Sequence, residues 1–193
     1  MRLVEGIAHV GPEADANDGR GFADVDAFVA ELGDVGDEYG VTVQVFDARH
    51  VVSRRHLERA LELADRERAR GDGIARDRAV EVLLYAAGRR QIDRALEMGV
   101  GEGETPAVVL VDAEADDDAG SDEATRGEPG AEPDEAAAAD AVRDLLAPGE
   151  TLGDYDAERV REFFDVGERE RAATDATLED LVLERVALLV VER

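Results

Sequence analysis

The sequence contains no cysteine. Disulfides, thiolate zinc sites and cysteine nucleophiles are therefore excluded. Serine is almost missing too. Ser53 and Ser121 are the only two, and neither sits in a GxSxG nucleophile elbow. Ser53 stands where it would cap a helix, and Ser121 lies in an acidic stretch. Histidine occurs only at His9, His50 and His56. The six-residue spacing of His50 and His56 does not set two imidazoles on one helix face for a metal. No metal and no cofactor is expected. A GxxxxGK(S/T) phosphate loop is absent, and so is a GxGxxG turn after a strand. Gly99-Val100-Gly101-Glu102-Gly103 reads as a plain turn, because no basic residue or helix follows it. No apolar run is long enough to span a bilayer. Glu5 and Gly6 arrive before a signal-peptide core can build, so a cytoplasmic protein is expected rather than an exported one.

Lysine is also absent: all 22 basic residues are arginine, set against 48 acidic ones, for a net charge of -26. A disordered acidic chain would carry such a charge. Yet 44% of the residues are hydrophobic, and they recur with clear periods. A fold in a salt-rich cytoplasm fits better. At molar salt the Debye length shrinks to about 3 Å, and self-repulsion is tolerated. An acidic surface in that setting does not exclude nucleic acid as a partner.

The apolar pattern predicts strands at Leu3–Val10, Val41–Phe46 and Thr105–Val111. Helices are expected over Phe22–Leu32, Ser53 to about Arg70, Arg76 to Met98 with a break at Gly88, Ala136 to Leu146, Asp156–Phe164 and Leu178–Val191. In the second of these, Leu57, Ala60, Leu61 and Ala64 make one stripe. The last is apolar on two faces: Leu178, Leu181, Val182, Val186 and Leu189 on one, Leu183, Leu188 and Val190 on the other. A surface helix needs only the first. Gly11 to Gly21 reads as a polar loop. The stretch from about 112 to 134 reads as a disordered acidic insertion in an otherwise single domain spanning 1–193. The fold class is α/β (mixed): a small mixed sheet of about three to four strands flanked by helices.

Carboxylates are too numerous for any acid–base pair to stand out. The one chemically distinctive place is Tyr85-Ala86-Ala87-Gly88-Arg89-Arg90-Gln91-Ile92. Glycine allows a ligand to approach the backbone. Arginine pairs with phosphate and stacks on bases. Glutamine reads base edges, and tyrosine offers a stacking face. The plainer reading is a helix–helix junction with solvated arginines paired to acidic neighbours. A phosphate-binding enzyme and a protein-interaction adaptor with no RNA role are the other readings left open by these residues.

Two stretches carry a family resemblance. Val51-Val52-Ser53-Arg54-Arg55-His56-Leu57-Glu58-Arg59-Ala60-Leu61 is one, and Val80-Glu81-Val82-Leu83-Leu84-Tyr85-Ala86-Ala87-Gly88-Arg89-Arg90-Gln91-Ile92 is the other. With Ala95, Gly99-Val100 and the closing Leu178–Leu189 segment, they resemble the archaeal PRPK-binding-protein family, the small kinase-binding subunit of the KEOPS complex. Ala87 stands where many relatives have serine. The resemblance implies a non-catalytic protein, not an enzyme, that binds the kinase/ATPase subunit. It implies recruitment of tRNA by its single-stranded 3′ CCA end, for threonylcarbamoyladenosine formation next to the anticodon. The KEOPS transferase subunit would be an indirect partner in the same complex. Carried onto this sequence, the tRNA site would comprise Tyr85, Gly88, Arg89, Arg90, Gln91 and Ile92, with Arg55 and His56 beside it. The kinase interface would use Leu181, Arg185 and Leu188.

Overall fold

The computed structural model describes residues 1–12, 14, 20–113 and 133–191. Most of the loop expected at Gly11–Gly21, and residues 114–132 of the expected acidic insertion, lie outside that set. The chain divides into two compact units, Met1–Val45 with Gly101–Glu150, and Phe46–Val100 with Thr151–Arg193.

The first unit is built on the sheet. Its strands are β1 (Arg2–Val10), β2 (Gly21–Phe22), β3 (Thr42–Asp47, whose last two residues open the second unit) and β4 (Gly103–Asp112), in the order β2-β1-β4-β3. The sheet is mixed. β1 runs antiparallel to β4 over nine residue pairs and parallel to β2 over two. Alternation explains β1: Val4, Gly6, Ala8 and Val10 are buried, and the residues between them are not. β4 reads as a continuous apolar run because Ala107 to Val111 are all fully buried, as a central strand covered on both faces requires. Gly6 has no room for a side chain. A Cβ there would stand 2.7 Å from the Ala147 carbonyl oxygen, where Ile7 and Ala147 exchange two backbone hydrogen bonds.

Helix α1 (Val25–Tyr39) starts three residues later than the pattern suggests and runs seven residues further. Asp24 explains the start, because its carboxylate accepts the Ala27 N–H at 2.8 Å and so caps the helix. Phe22 pairs with Val10 in the sheet instead, and its ring lies 4.8 Å from that of Phe28. Val35 and Gly36 extend the buried stripe, and Gly40, at φ 64, closes the helix. After the acidic stretch Asp134 caps α5 (Glu135–Leu145), which packs on β1 and β4.

The second unit is helical. It contains α2 (Arg54–Ala69), α3 (Arg78–Ala87), α4 (Ile92–Ala95), α6 (Ala157–Phe163), α7 (Glu168–Ala172) and α8 (Leu178–Leu188). Ser53 caps α2 as expected, and its hydroxyl also donates to Glu179 at 2.8 Å. That bond ties the start of α2 to the start of α8. The four-residue apolar stripe of α2 is buried, joined by His56, Leu63 and Glu67, and α2 packs against α3 and α8. Thr177 and Asp180 form a reciprocal capping box that starts α8. The Arg76–Met98 stretch is two helices with a corner between them, and α7 was not foreseen. Among the described residues no helix is long and apolar enough to cross a membrane.

Candidate functional site

The corner between α3 and α4 is organised by Gly88. Its backbone is left-handed, at φ 58. The Gly88 N–H donates to the Tyr85 carbonyl and the Arg89 N–H to the Leu84 carbonyl, each at 3.0 Å. This paired closure satisfies the last carbonyls of α3. A Cβ at position 88 would lie 3.3 Å from the Arg185 carbonyl oxygen. Two constraints therefore select glycine: the backbone conformation, and close approach to the backbone of α8.

The side chain of Arg89 turns toward the end of α6. Its guanidinium donates to the Phe163 carbonyl and to the Asp165 carboxylate, the latter at 2.8 Å. It also lies 5.8 Å from the centroid of the Phe163 ring, a cation–π distance. Arg185 does the same for the neighbouring carbonyl: its Nε donates to Phe164 O at 3.2 Å, and its Nη2 takes both oxygens of Glu170 at 2.8 Å. Two arginines thus satisfy the end of α6, where the helix dipole favours positive charge. Asp165 has φ 53 and is the only non-glycine residue with positive φ among the described residues.

Two of the residues expected at the surface are inside. Tyr85 is 2% exposed, so its ring does not present a stacking face. Every residue of α3 from Glu81 to Ala87 is buried, so position 85 is enclosed whichever way it faces. Burial raises its hydroxyl pKa, and the carboxylates of Glu81 and Glu67 push the same way. His56 is fully buried. Its Nε2 lies 2.8 Å from the Ala86 carbonyl, and its Nδ1 has no hydrogen-bond partner among the described residues. Nε2 therefore carries the proton and donates it. Burial lowers the His56 pKa to about 4. His56 supports the corner from beneath rather than touching a ligand. A chain of rings, His50–Phe163–Phe164–His56, runs under it with successive centroids 5.0, 4.9 and 5.7 Å apart.

The residues that follow Arg89 face solvent. Arg90, Gln91 and Ile92 are exposed. Arg90 is anchored by a long contact from its guanidinium to the Leu189 carbonyl, 3.4 Å. Arg55 opens onto a groove between α2 and α8 that Arg59, Asp180 and Leu183 also line. On α8, Leu181 is 3% exposed and belongs to the core, not to the outer face where an interface is expected; Val182 and Val186 are buried as well. Leu188, at 38% exposure, is on the outside, as is Val191. Arg185 is held by Glu170 and Phe164.

Sequence reasoning did not single out Phe163, Phe164, Asp165 or Glu170. The signal available was weak: two adjacent phenylalanines before an Asp-Val-Gly helix stop.

The profile of the kinase binding protein CGI-121 family matches residues 33–189. The chain belongs to this family. The matched span takes in α2, the Gly88 corner and α8, the segments on which the resemblance rests. No curated protein matches the chain. CGI-121 proteins are described as kinase binding, so the surface to be explained is first a protein-binding one.

Proposed function

We propose that this CGI-121 protein is a non-catalytic subunit that binds a kinase/ATPase partner and holds tRNA by its 3′ CCA end. That tRNA would receive threonylcarbamoyladenosine next to its anticodon, with a transferase subunit as an indirect neighbour. The supporting observation is the corner itself. Arg90, Gln91 and Ile92 are exposed directly after a glycine that is locked against α8, within the span that the family profile covers. Such a corner suits a single-stranded end. Gln91 offers a base-edge donor and acceptor, Arg90 a flat cation for a base or phosphate, and Ile92 an apolar face. The kinase would meet the outer face of α8, through Leu188 with Leu183, while Arg185 holds the α6 end in place behind it.

The setting would be a salt-rich cytoplasm. Phosphate contacts weaken steeply with salt, so most of the affinity there would come from stacking and base-edge bonds, about 1–3 kcal/mol per stacked base.

The test compares tRNA with an intact CCA end and the same tRNA trimmed of it, in molar potassium chloride, alongside capture of the kinase. Dependence on the intact end supports tRNA recruitment. Kinase capture with equal or absent tRNA binding leaves an adaptor with no RNA role.

A further inference from the structure

We infer that Asp165 is a specificity-determining residue whose carboxylate sits on Nη2 of Arg89 and competes with a phosphate oxygen for that guanidinium. The inference rests in part on the proposed RNA-end site, but its geometry is independent of it. Arg89 is the second residue past the end of α3, and Asp165 the second past the end of α6. Both helices close with the same pair of backbone bonds. In α6 these run from Asp165 N–H to Glu162 O and from Val166 N–H to Arg161 O. The two closures meet through one charge-assisted bond, Arg89 Nη2 to Asp165 Oδ2 at 2.8 Å.

Asp165 is a costly residue for that turn. Its φ of 53 is a conformation in which glycine or asparagine is the usual occupant. Asparagine would keep the turn and lose the charge. What aspartate adds is a carboxylate on Arg89, and a carboxylate is the nearest side-chain analogue of a phosphate oxyanion. The pair is also built to open. The Asp165 side chain is 75% exposed and that of Arg89 34%, so water and salt weaken the bond. Arg89 does not depend on Asp165 for its position, since the Phe163 carbonyl and ring hold it from the other side.

The consequence is selectivity. A free phosphate or polyphosphate gains little at Arg89, because the Asp165 carboxylate already offsets the guanidinium charge. A nucleic-acid end that also engages Arg90, Gln91 and Ile92 has further contacts to offset this competition. Asp165 thus discriminates against bare anions.

The experiment uses the full chain and three proteins: wild type, Asp165→Asn and Glu168→Gln. The last removes a nearby surface carboxylate that makes no contact with Arg89. Each is titrated with tripolyphosphate and with a short RNA ending in CCA. The salt is the lowest potassium chloride concentration at which the helical signal is intact. Asp165→Asn should bind tripolyphosphate about two- to fivefold more tightly than wild type, the range set by a surface ion pair. Glu168→Gln should change it little. The preference for RNA over tripolyphosphate should narrow in Asp165→Asn. Equal gains in both variants would show a general charge effect and overturn the inference, as would tripolyphosphate binding by Asp165→Asn no tighter than wild type. If no protein binds the RNA while Asp165→Asn alone gains tripolyphosphate, the RNA reading fails and the competition of Asp165 for Arg89 stands.

Discussion

Arg90 and Arg89 sit side by side, and their environments differ. Arg89 satisfies the end of α6 and pairs with Asp165; Arg90 is more exposed and makes a long contact with the Leu189 carbonyl at the end of α8. Replacing both with glutamate removes two cations at once, together with the Arg89 contacts at the end of α6. Arg90→Glu alone is the cleaner change. It should abolish binding of CCA-ended tRNA, leave kinase capture intact and shift the melting temperature little. Loss of both activities would mean misfolding. At Gly88 the expected effect is on stability: Gly88→Ala forces a side chain into a left-handed backbone against α8, and should cost roughly 1–2 kcal/mol in urea unfolding. His56 gives a pH signature. Its folded pKa of about 4 lies below the ordinary 6.5, so the folded state keeps it neutral while the unfolded chain takes up a proton. The stability it contributes is complete above about pH 6.5 and is lost as pH falls toward 4. That loss amounts to roughly 3 kcal/mol. Urea titrations of wild type and His56→Gln across that window should show the wild type losing more.

At the scale of elements, α8 separates two roles that the sequence runs together. Its two apolar faces were visible as a pattern, but the pattern does not say which face is covered. Leu181→Ala should cost about 2–4 kcal/mol, as a fully packed core leucine does. Leu188→Ala should leave stability within about 1 kcal/mol and weaken kinase capture. Finding the reverse would place the partner elsewhere. The strands and long helices were legible because period-2 and period-3.6 patterns reflect burial directly. The two-residue β2 was not, since two residues have no period. Nor was the start of α1, where one cap residue, Asp24, outweighed an apolar Phe22. In the candidate site, Gly88 and the exposed Arg90-Gln91-Ile92 run could be read from residue types alone. The burial of Tyr85 and His56 could not, because each depends on helices brought together from distant parts of the chain. Asp165 and Arg89 are 76 residues apart in sequence, and nothing local announces their pairing.

For the molecule as a whole, charge governs the conditions under which these contacts exist. With a net charge of -26, unscreened repulsion opposes the compact state. Thermal unfolding should move to higher temperature as potassium chloride rises from about 0.1 M to 2 M, where the Debye length falls from about 10 Å to below 3 Å. A melting temperature independent of salt would remove the case for a salt-rich setting. RNA-end binding should likewise hold up or strengthen over part of that range, against the usual direction. The buried Tyr85 has one more consequence, an optical one. The chain has three tyrosines and no tryptophan, so no indole emission masks the phenols. Tyr85 lies in the core of the helical unit, one turn from the corner, with its ionisation pushed upward. Tyr39 is also pushed upward, so the difference in ultraviolet absorbance between wild type and Tyr85→Phe during an alkaline titration would report on the packing beneath Gly88 with no label attached.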